Sequence, residues 1–433
     1  MYHVFDICQD IAEKLKNPSV ILAQAEQESI AGLVQTFAWP LTTFAGGFPG
    51  IACFFASMDH VFPDQGWSQV THEYLKLTVN FLENGGDGGY SLFGGLSGLC
   101  FAIHICSKNG SRYQGVLSKL EAILEEKIGF ELSRIAANES TNESYVPAYQ
   151  YSLMNGIPGA AAYLLLRKDN SRLKKLAKDC IDILVKLLMK SRKVGDVTVP
   201  GWYAANEAEQ NQYPGGSYIL STTYGVVGCL SVLGLAAWDG IEVPRIHESI
   251  KMVSQWLIEN RTKVPSGFDW PVEIPFEDVV IYPENFVGSL VYGNPAVNFS
   301  LYLAGRALGD KAQMNLAETS FVNYFTHQDN RWKEKEASLM HGGAGLLALV
   351  NRMQKLTYSV SLKQIASTIE QSIKNEYRPN HRYGFQTYKM TDKEKVALDD
   401  PGFLNGASGI GLALLSSTGR LDDILWDRAF LLA

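Results

Sequence analysis

The sequence is short of the features that would place it at once. It has no excess of positive charge: 38 Lys and Arg stand against 45 Asp and Glu, a formal net charge of −7. No basic cluster occurs either, which argues against a general binder of nucleic acid or anionic membrane. No pair among the six cysteines (Cys8, Cys53, Cys100, Cys106, Cys180, Cys229) forms a C-x-x-C motif. Scattered through a chain of this length, they read as reduced, buried thiols. No apolar run reaches the roughly 18 residues that a membrane span needs. The first residues, MYHVFDICQDIAEKL, lack the basic start and apolar core of a secretory signal and read as an amphipathic helix. The expected location is the cytoplasm. What is present is ordinary globular material, 433 residues with 46% hydrophobic and 19% charged, ample for a core.

One short pattern recurs along the whole chain: a glycine, two residues, then a second glycine or an alanine. The copies are Gly47–Gly50, Gly95–Gly98, Gly156–Gly159, Gly225–Gly228, Gly293–Ala296, Gly342–Gly345 and Gly406–Gly409. Their first glycines are separated by 48, 61, 69, 68, 49 and 64 residues. A single G-x-x-G is a common accident, but seven followed by the same kind of segment mark a repeat. Behind each turn lies a run of small and apolar residues without a polar face, such as IACFFASM, AAAYLLL and CLSVLGLAA. A helix apolar all round is buried on all sides. Between these runs lie amphipathic stretches such as Leu117–Ile128 and Leu173–Met189, with charges spaced by three and four.

Seven buried helices alternating with seven half-buried ones predict an all-α fold, an (α/α)7 toroid with an inner and an outer ring. An open α-solenoid is the competing arrangement; the repeat length varies by about twenty residues, more than a regular solenoid allows. No linker-like stretch divides the chain, so residues 1–433 are expected to form a single domain. The glycines are expected to permit close approach of crowded inner helices and to accept a positive φ in the entry turn. Pro49, Pro158 and Pro295 suit the first helical turn, and Asn155 and Asn405 are placed to cap their helices. The longest intervals, 194–221 and 263–288, are rich in Pro, Gly and aromatics and are expected to be ordered loops over one face. The seven turns would lie at one end of the inner ring, so that helix N-termini and turn side chains converge on one cavity that favours developing negative charge.

Several of these turns resemble the motifs of the lanthionine synthetase C-like (LanC) family, of the nisin-cyclase type. The segment Pro200–Tyr203 (PGWY), then Tyr213–Tyr218 (YPGGSY) and Tyr224–Gly228 (YGVVG), is similar to the family's tryptophan segment and its F-P-x-G…A-H-G-x-x-G motif. Ser289–Pro295 (SLVYGNP) resembles W-C-Y-G-x-P, and Leu339–Gly345 (LMHGGAG) resembles C-H-G-x-x-G. The resemblance implies the toroid, a precursor-peptide substrate with a leader and a dehydrated core, and addition of a cysteine thiol to a dehydroamino acid. In the family a Zn²⁺ held by two Cys and one His activates that thiol.

The departures fall on that centre. Val291 and Met340 stand where the family has its zinc cysteines, and only His341 remains. Valine cannot ligate a metal and a thioether serves Zn²⁺ poorly, so neither a metal nor another cofactor is expected. Tyr224 replaces a family histidine, Ser152 an aspartate and Val287 an arginine, while Tyr292 is retained. The candidate catalytic residues are therefore His341, Tyr292 and Tyr224, and the candidate substrate-binding residues are Asn294, Ser152, Asn155 and Trp202. His341 reads as an acid–base group, a residual metal ligand or a cap on a helix N-terminus, where a neutral imidazole is expected. Tyr292 and Tyr224 read as hydrogen-bond donors to an enolate or as fillers of the space left by the metal centre. The asparagines read as ligand contacts or as turn formers. Asp87, in a glycine-rich loop, reads as a turn residue. Cys53, Cys100 and Cys229 read as small hydrophobes.

Two functions follow: a zinc-independent lanthipeptide cyclase, or a catalytically inactive peptide-binding scaffold for other maturation enzymes. Glycoside cleavage on a similar toroid would need two facing carboxylates, and the turn motifs hold none.

Overall fold

The computed structural model describes residues 2–31, 40–83, 88–139, 147–205, 213–277, 287–327, 332, 335–390 and 395–432. Asp87 lies outside them. Among the described residues the chain forms fifteen α-helices: α1 (Val4–Leu15), α2 (Pro18–Ala31), α3 (Phe48–Val61), α4 (Trp67–Glu83), α5 (Leu96–Ile105), α6 (Gln114–Glu139), α7 (Ile157–Leu166), α8 (Ser171–Met189), α9 (Val226–Trp238), α10 (Ile246–Glu259), α11 (Gly293–Leu308), α12 (Lys311–Thr326), α13 (Gly343–Thr357), α14 (Val360–Glu376) and α15 (Ala407–Ser417). Every glycine turn opens one of the odd-numbered helices from α3 to α15. Their residues are buried nearly throughout: in α7 from Ile157 to Leu165, and in α9 from Val226 to Ala236. The helices between them bury one stripe. In α8 that stripe is Leu173, Leu176, Cys180, Ile181, Leu184 and Leu188, and the Asn170 side chain caps the helix by accepting from the Arg172 and Leu173 N–H groups.

The long intervals contain short antiparallel pairs. β1 (Ser191–Val194) pairs with β2 (Val197–Pro200), β3 (Ser217–Ile219) with β6 (Glu273–Pro275), and β4 (Thr262–Val264) with β5 (Gly267–Asp269). A fourth pair, β7 (Thr387–Met390) with β8 (Lys395–Leu398), precedes the seventh turn. The expected ordered loops are thus stiffened by backbone ladders.

The chain divides into two compact units. The first comprises Met1–Gly89, Phe93–Leu120 and Arg331–Asp427, and the second comprises Tyr90–Leu92, Glu121–Asn330 and Arg428–Ala433. In the first, a ladder of backbone hydrogen bonds joins successive turns: the Met340 N–H donates to the Leu404 carbonyl (2.9 Å), Leu404 to Ala45 (2.8 Å) and Ala45 to Phe93 (3.0 Å). The sixth, seventh, first and second turns are therefore neighbours in that order. An open solenoid would hold its last repeat away from its first; here α15 packs on both α3 and α1. In the second unit the same kind of bond runs from Met154 to Thr223 (3.1 Å) and from Thr222 to Val291 (3.0 Å). A buried ion pair fastens α6 to α7 there: Glu121 accepts from the Tyr163 hydroxyl (2.5 Å) and from Arg167 Nε (2.8 Å).

The first glycines answer chiefly to their own turn, while Gly50, Gly159 and Gly411 also allow close approach, their Cβ positions lying 2.5 Å from Phe403, 2.9 Å from Leu92 and 2.5 Å from Phe54. A Cβ on Gly225 would lie 1.9 Å from the Ile219 carbonyl oxygen, and one on Gly409 would lie 1.8 Å from that of Phe403. Gly47, Gly156, Gly342 and Gly406 meet carbonyls six or seven residues upstream in the same way. Their φ values are ordinary and negative; among the first glycines of the turns described, only Gly293 is left-handed, at +68°. The turn folds back over the helix start, and no side chain fits between. The glycine itself is the N-cap, so Asn155 and Asn405 sit one residue before the cap and make no capping bond.

Candidate functional site

A register shared by all seven turns decides which side chains reach solvent. The residue two before the first glycine is buried in every turn: Ala45, Phe93, Met154, Thr223, Val291, Met340 and Leu404. The residue immediately before the glycine is half-buried or exposed in every turn: Gly46, Gly94, Asn155, Tyr224, Tyr292, His341 and Asn405. The first position supplies the inter-turn ladder, and the second holds the candidate catalytic residues Tyr224, Tyr292 and His341.

Behind both stands a recurring position of which sequence reasoning singled out only Ser152. Four before the glycine, the chain has Thr43, Ser91, Ser152, Ser221, Ser289 and Ser338. The hydroxyls of Ser152, Ser221 and Ser289 each accept from the N–H groups two and three residues on. Ser152 also donates to the Thr223 carbonyl (3.0 Å). Its hydroxyl is buried and fully engaged within the turns.

In the first unit, His341 lies exposed in the sixth turn. The Lys335 Nζ donates to the His341 carbonyl (3.2 Å). Partial desolvation of the ring, and secondly the Lys335 ammonium, hold the imidazole below its ordinary value. Desolvation holds the Lys335 amine below its own ordinary value. Next to it, Glu336 accepts from the Ser338 hydroxyl (3.0 Å) and from the Tyr388 N–H (3.3 Å). Burial, and then the Glu336 charge, push the Glu376 carboxyl up to about 7, against the pull of the Ala337 N–H. Lys335, Glu336 and Glu376 were missed in the sequence; the signal was the charged run Lys333–Glu336 directly ahead of the turn.

In the second unit, Tyr292 is the N-cap of α11 and forms an antiparallel bridge with Ser221. Burial raises its phenol above the ordinary range, with a hydrogen bond to Ser221 acting the other way. Burial likewise raises Tyr224. Both hydroxyls therefore stay protonated at neutral pH and can donate hydrogen bonds. Asn155 is exposed. Asn294 is fully buried, donating from Nδ2 to the Phe268 carbonyl (2.6 Å) and to Ser320 Oγ (3.0 Å). Trp202 is buried edge-on against Trp256, with ring centroids 5.4 Å apart. The structure thus sets Tyr224, Tyr292 and Asn155 at accessible positions and Ser152, Asn294 and Trp202 behind them.

The described cysteines are all buried and none is in a disulfide, and desolvation drives the thiols of Cys8, Cys180 and Cys229 far above the ordinary range. They are inert packing groups.

A family model described as lanthionine synthetase C-like protein matches residues 41–431. The chain belongs to this family. The solved structure of a nisin cyclase superposes with a TM-score of 0.76, covering 96% of each chain at 19% sequence identity. That likeness shows the fold, the all-α toroid expected from the seven turns. No curated protein matches in a sequence search.

The zinc of other family members does not fit the residues here. The two positions that would carry thiolates hold Val291 and Met340, both buried and apolar. Among the described residues no three His, Cys, Asp or Glu side chains stand together in a way that could hold a metal ion. No described helix is long and apolar enough to cross a membrane.

Proposed function

We propose that this protein closes thioether rings in a ribosomally made precursor peptide by adding a cysteine thiol to a dehydroalanine or dehydrobutyrine, without zinc. The supporting observation is the sixth turn, where an accessible imidazole with a lowered proton affinity sits beside a partly desolvated amine while the thiolate positions are apolar. Neutral His341 takes the thiol proton, and the Lys335 ammonium favours the thiolate that forms. The sulfur bonds to the β-carbon of the alkene, the π pair moves toward the neighbouring carbonyl as an enolate, and the proton held by His341 is returned to the α-carbon. Free cysteine is already a few per cent thiolate at neutral pH, and orientation of the two ends of a ring contributes several kcal/mol. In the second unit, Tyr224, Tyr292 and Asn155 hydrogen-bond to peptide groups, and Ser152, Asn294 and Trp202 act through the turns that they hold.

The substrate is a leader-bearing peptide dehydrated by another maturation enzyme, and residues 1–433 act in the cytoplasm as one domain. The loss of both thiolate positions also favours a second reading, a catalytically silent peptide-binding scaffold. One assay separates the two. Metal-stripped protein is incubated with a dehydrated precursor peptide, and free thiols are counted by alkylation and mass spectrometry. Thiol loss in the native protein that disappears in His341→Ala supports the cyclase. Peptide binding with every thiol retained supports the scaffold. Thiol loss only after addition of Zn²⁺ overturns the metal-free mechanism.

A further inference from the structure

The fifth turn departs from the others in a way that the proposed reaction does not use. Ala296 takes the place of the second glycine, and the helix behind the turn carries polar groups into the core. Asn294 and Asn298 on α11, Ser320 on α12 and Asp269 on β5 are all buried in the second unit. The Nδ2 of Asn298 donates to the Asn294 carbonyl (3.0 Å) and to Ser320 Oγ (3.1 Å); that of Asn294 donates to the same Oγ and to the Phe268 carbonyl. Each amide nitrogen therefore has two acceptors, which fixes which end of each amide is oxygen. The Oδ1 atoms of both residues are buried and have no hydrogen-bond partner. The Asp269 carboxylate accepts from the Trp270 N–H (2.7 Å) and from the Asn294 N–H. No Lys or Arg pairs with it among the described residues.

We propose that Asn294 Oδ1, Asn298 Oδ1 and the Asp269 carboxylate form an internal site for a monovalent alkali cation, sodium or potassium. The donors are hard oxygens, which suit alkali and alkaline-earth ions and not the metals that prefer imidazole or thiolate. The charge selects between those two groups. One carboxylate, already partly offset by the N-terminal dipole of α11, balances a single positive charge and is too little for a divalent ion. Bound water would satisfy the two amide oxygens but would not neutralise the charge that two N–H donors and the helix dipole leave on the buried carboxylate. Burial pushes the Asp269 carboxyl up to about 6, a shift that a resident cation reverses. The site lies directly behind the Tyr292 turn, so its occupancy stiffens the start of α11. This inference does not depend on the proposed reaction.

The test uses the full-length protein exchanged into choline chloride. Thermal unfolding is followed while KCl or NaCl replaces choline chloride at constant ionic strength. A saturable rise in Tm of about 2 °C or more is expected, absent in Asp269→Asn and in Asn298→Leu. Should these variants fail to fold, crystals of the native protein grown with rubidium or thallium salts give an independent answer: an anomalous peak beside Asn298 Oδ1 supports the site. Identical Tm values in all three salts, or electron density for water alone at that position, overturn it.

Discussion

The side-chain amine of Lys335 donates to the backbone carbonyl of His341 across 3.2 Å, tying the charged segment before the sixth turn to the one accessible imidazole among the turns. The contact puts a cation beside a ring that must be neutral to act as a base.

His341 is therefore expected to titrate below 6.5, because of desolvation and of the Lys335 charge. In Lys335→Met the charge is gone and the midpoint moves up. An NMR titration of the His341 Cε1 proton in both proteins reads the shift directly; an unchanged midpoint would remove Lys335 from the mechanism.

The turn glycines give a stability test. Gly225→Ala puts a methyl group 1.9 Å from the Ile219 carbonyl oxygen and is expected to cost about 3 kcal/mol or more. Gly129, inside α6 with nothing within 4 Å of its missing Cβ, is the contrast. Gly129→Ala is expected to stabilise by about 0.5–1 kcal/mol through helix propensity. Denaturant melts of the two variants should move in opposite directions.

Ser152→Ala removes a buried donor to Thr223 and an acceptor for two N–H groups, that of Met154 buried and that of Asn155 half-buried. A loss of about 1–3 kcal/mol is expected. Peptide affinity measured on the folded fraction should stay within about threefold, because the hydroxyl faces the neighbouring turn.

Glu376 gives a pH dependence with an unusual sign for a carboxylate. Its folded value, about 7, lies above its ordinary 4.5, so the folded state binds the proton more tightly than the unfolded one. The contribution is fully present below 4.5 and is lost as pH rises through 7. Glu376→Gln, fixed in a neutral form, is expected to melt a few degrees above the native protein at about pH 8, with the gap closing toward pH 4.5. A constant gap across that range would show that Glu336 and burial do not act on this group as described.

The frame of the molecule was legible in the sequence because glycine spacing and all-round apolar helices are local patterns. The seven first glycines located every buried helix. Their physical cause was not legible, since the carbonyls that Gly47, Gly156, Gly225, Gly342 and Gly406 would strike lie six or seven residues upstream in a fold-back that no periodicity reveals. Asn155 and Asn405 look like caps by composition, yet the glycine one residue on already has the extended backbone of an N-cap. The serine four before the glycine recurs in five turns and threonine in a sixth, a signal that was present and overlooked. Glu336 and Glu376 could not be brought together from sequence, because one precedes the sixth turn and the other ends α14. Nor could the role of Asn294, which depends on Phe268 and Ser320 from two other elements.

Under the proposed metal-free reading, Val291 and Met340 show how the frame holds together without thiolate ligands. Their positions carry the inter-turn ladder through backbone groups alone, so the fold asks nothing of the side chain except that it be small enough and greasy enough to stay inside. A thiolate there needs a metal to be tolerated; an aliphatic group needs nothing. The neighbouring position, one residue on, can then exchange histidine, tyrosine or asparagine while the scaffold stays indifferent, which lets reactivity drift from turn to turn on an unaltered skeleton.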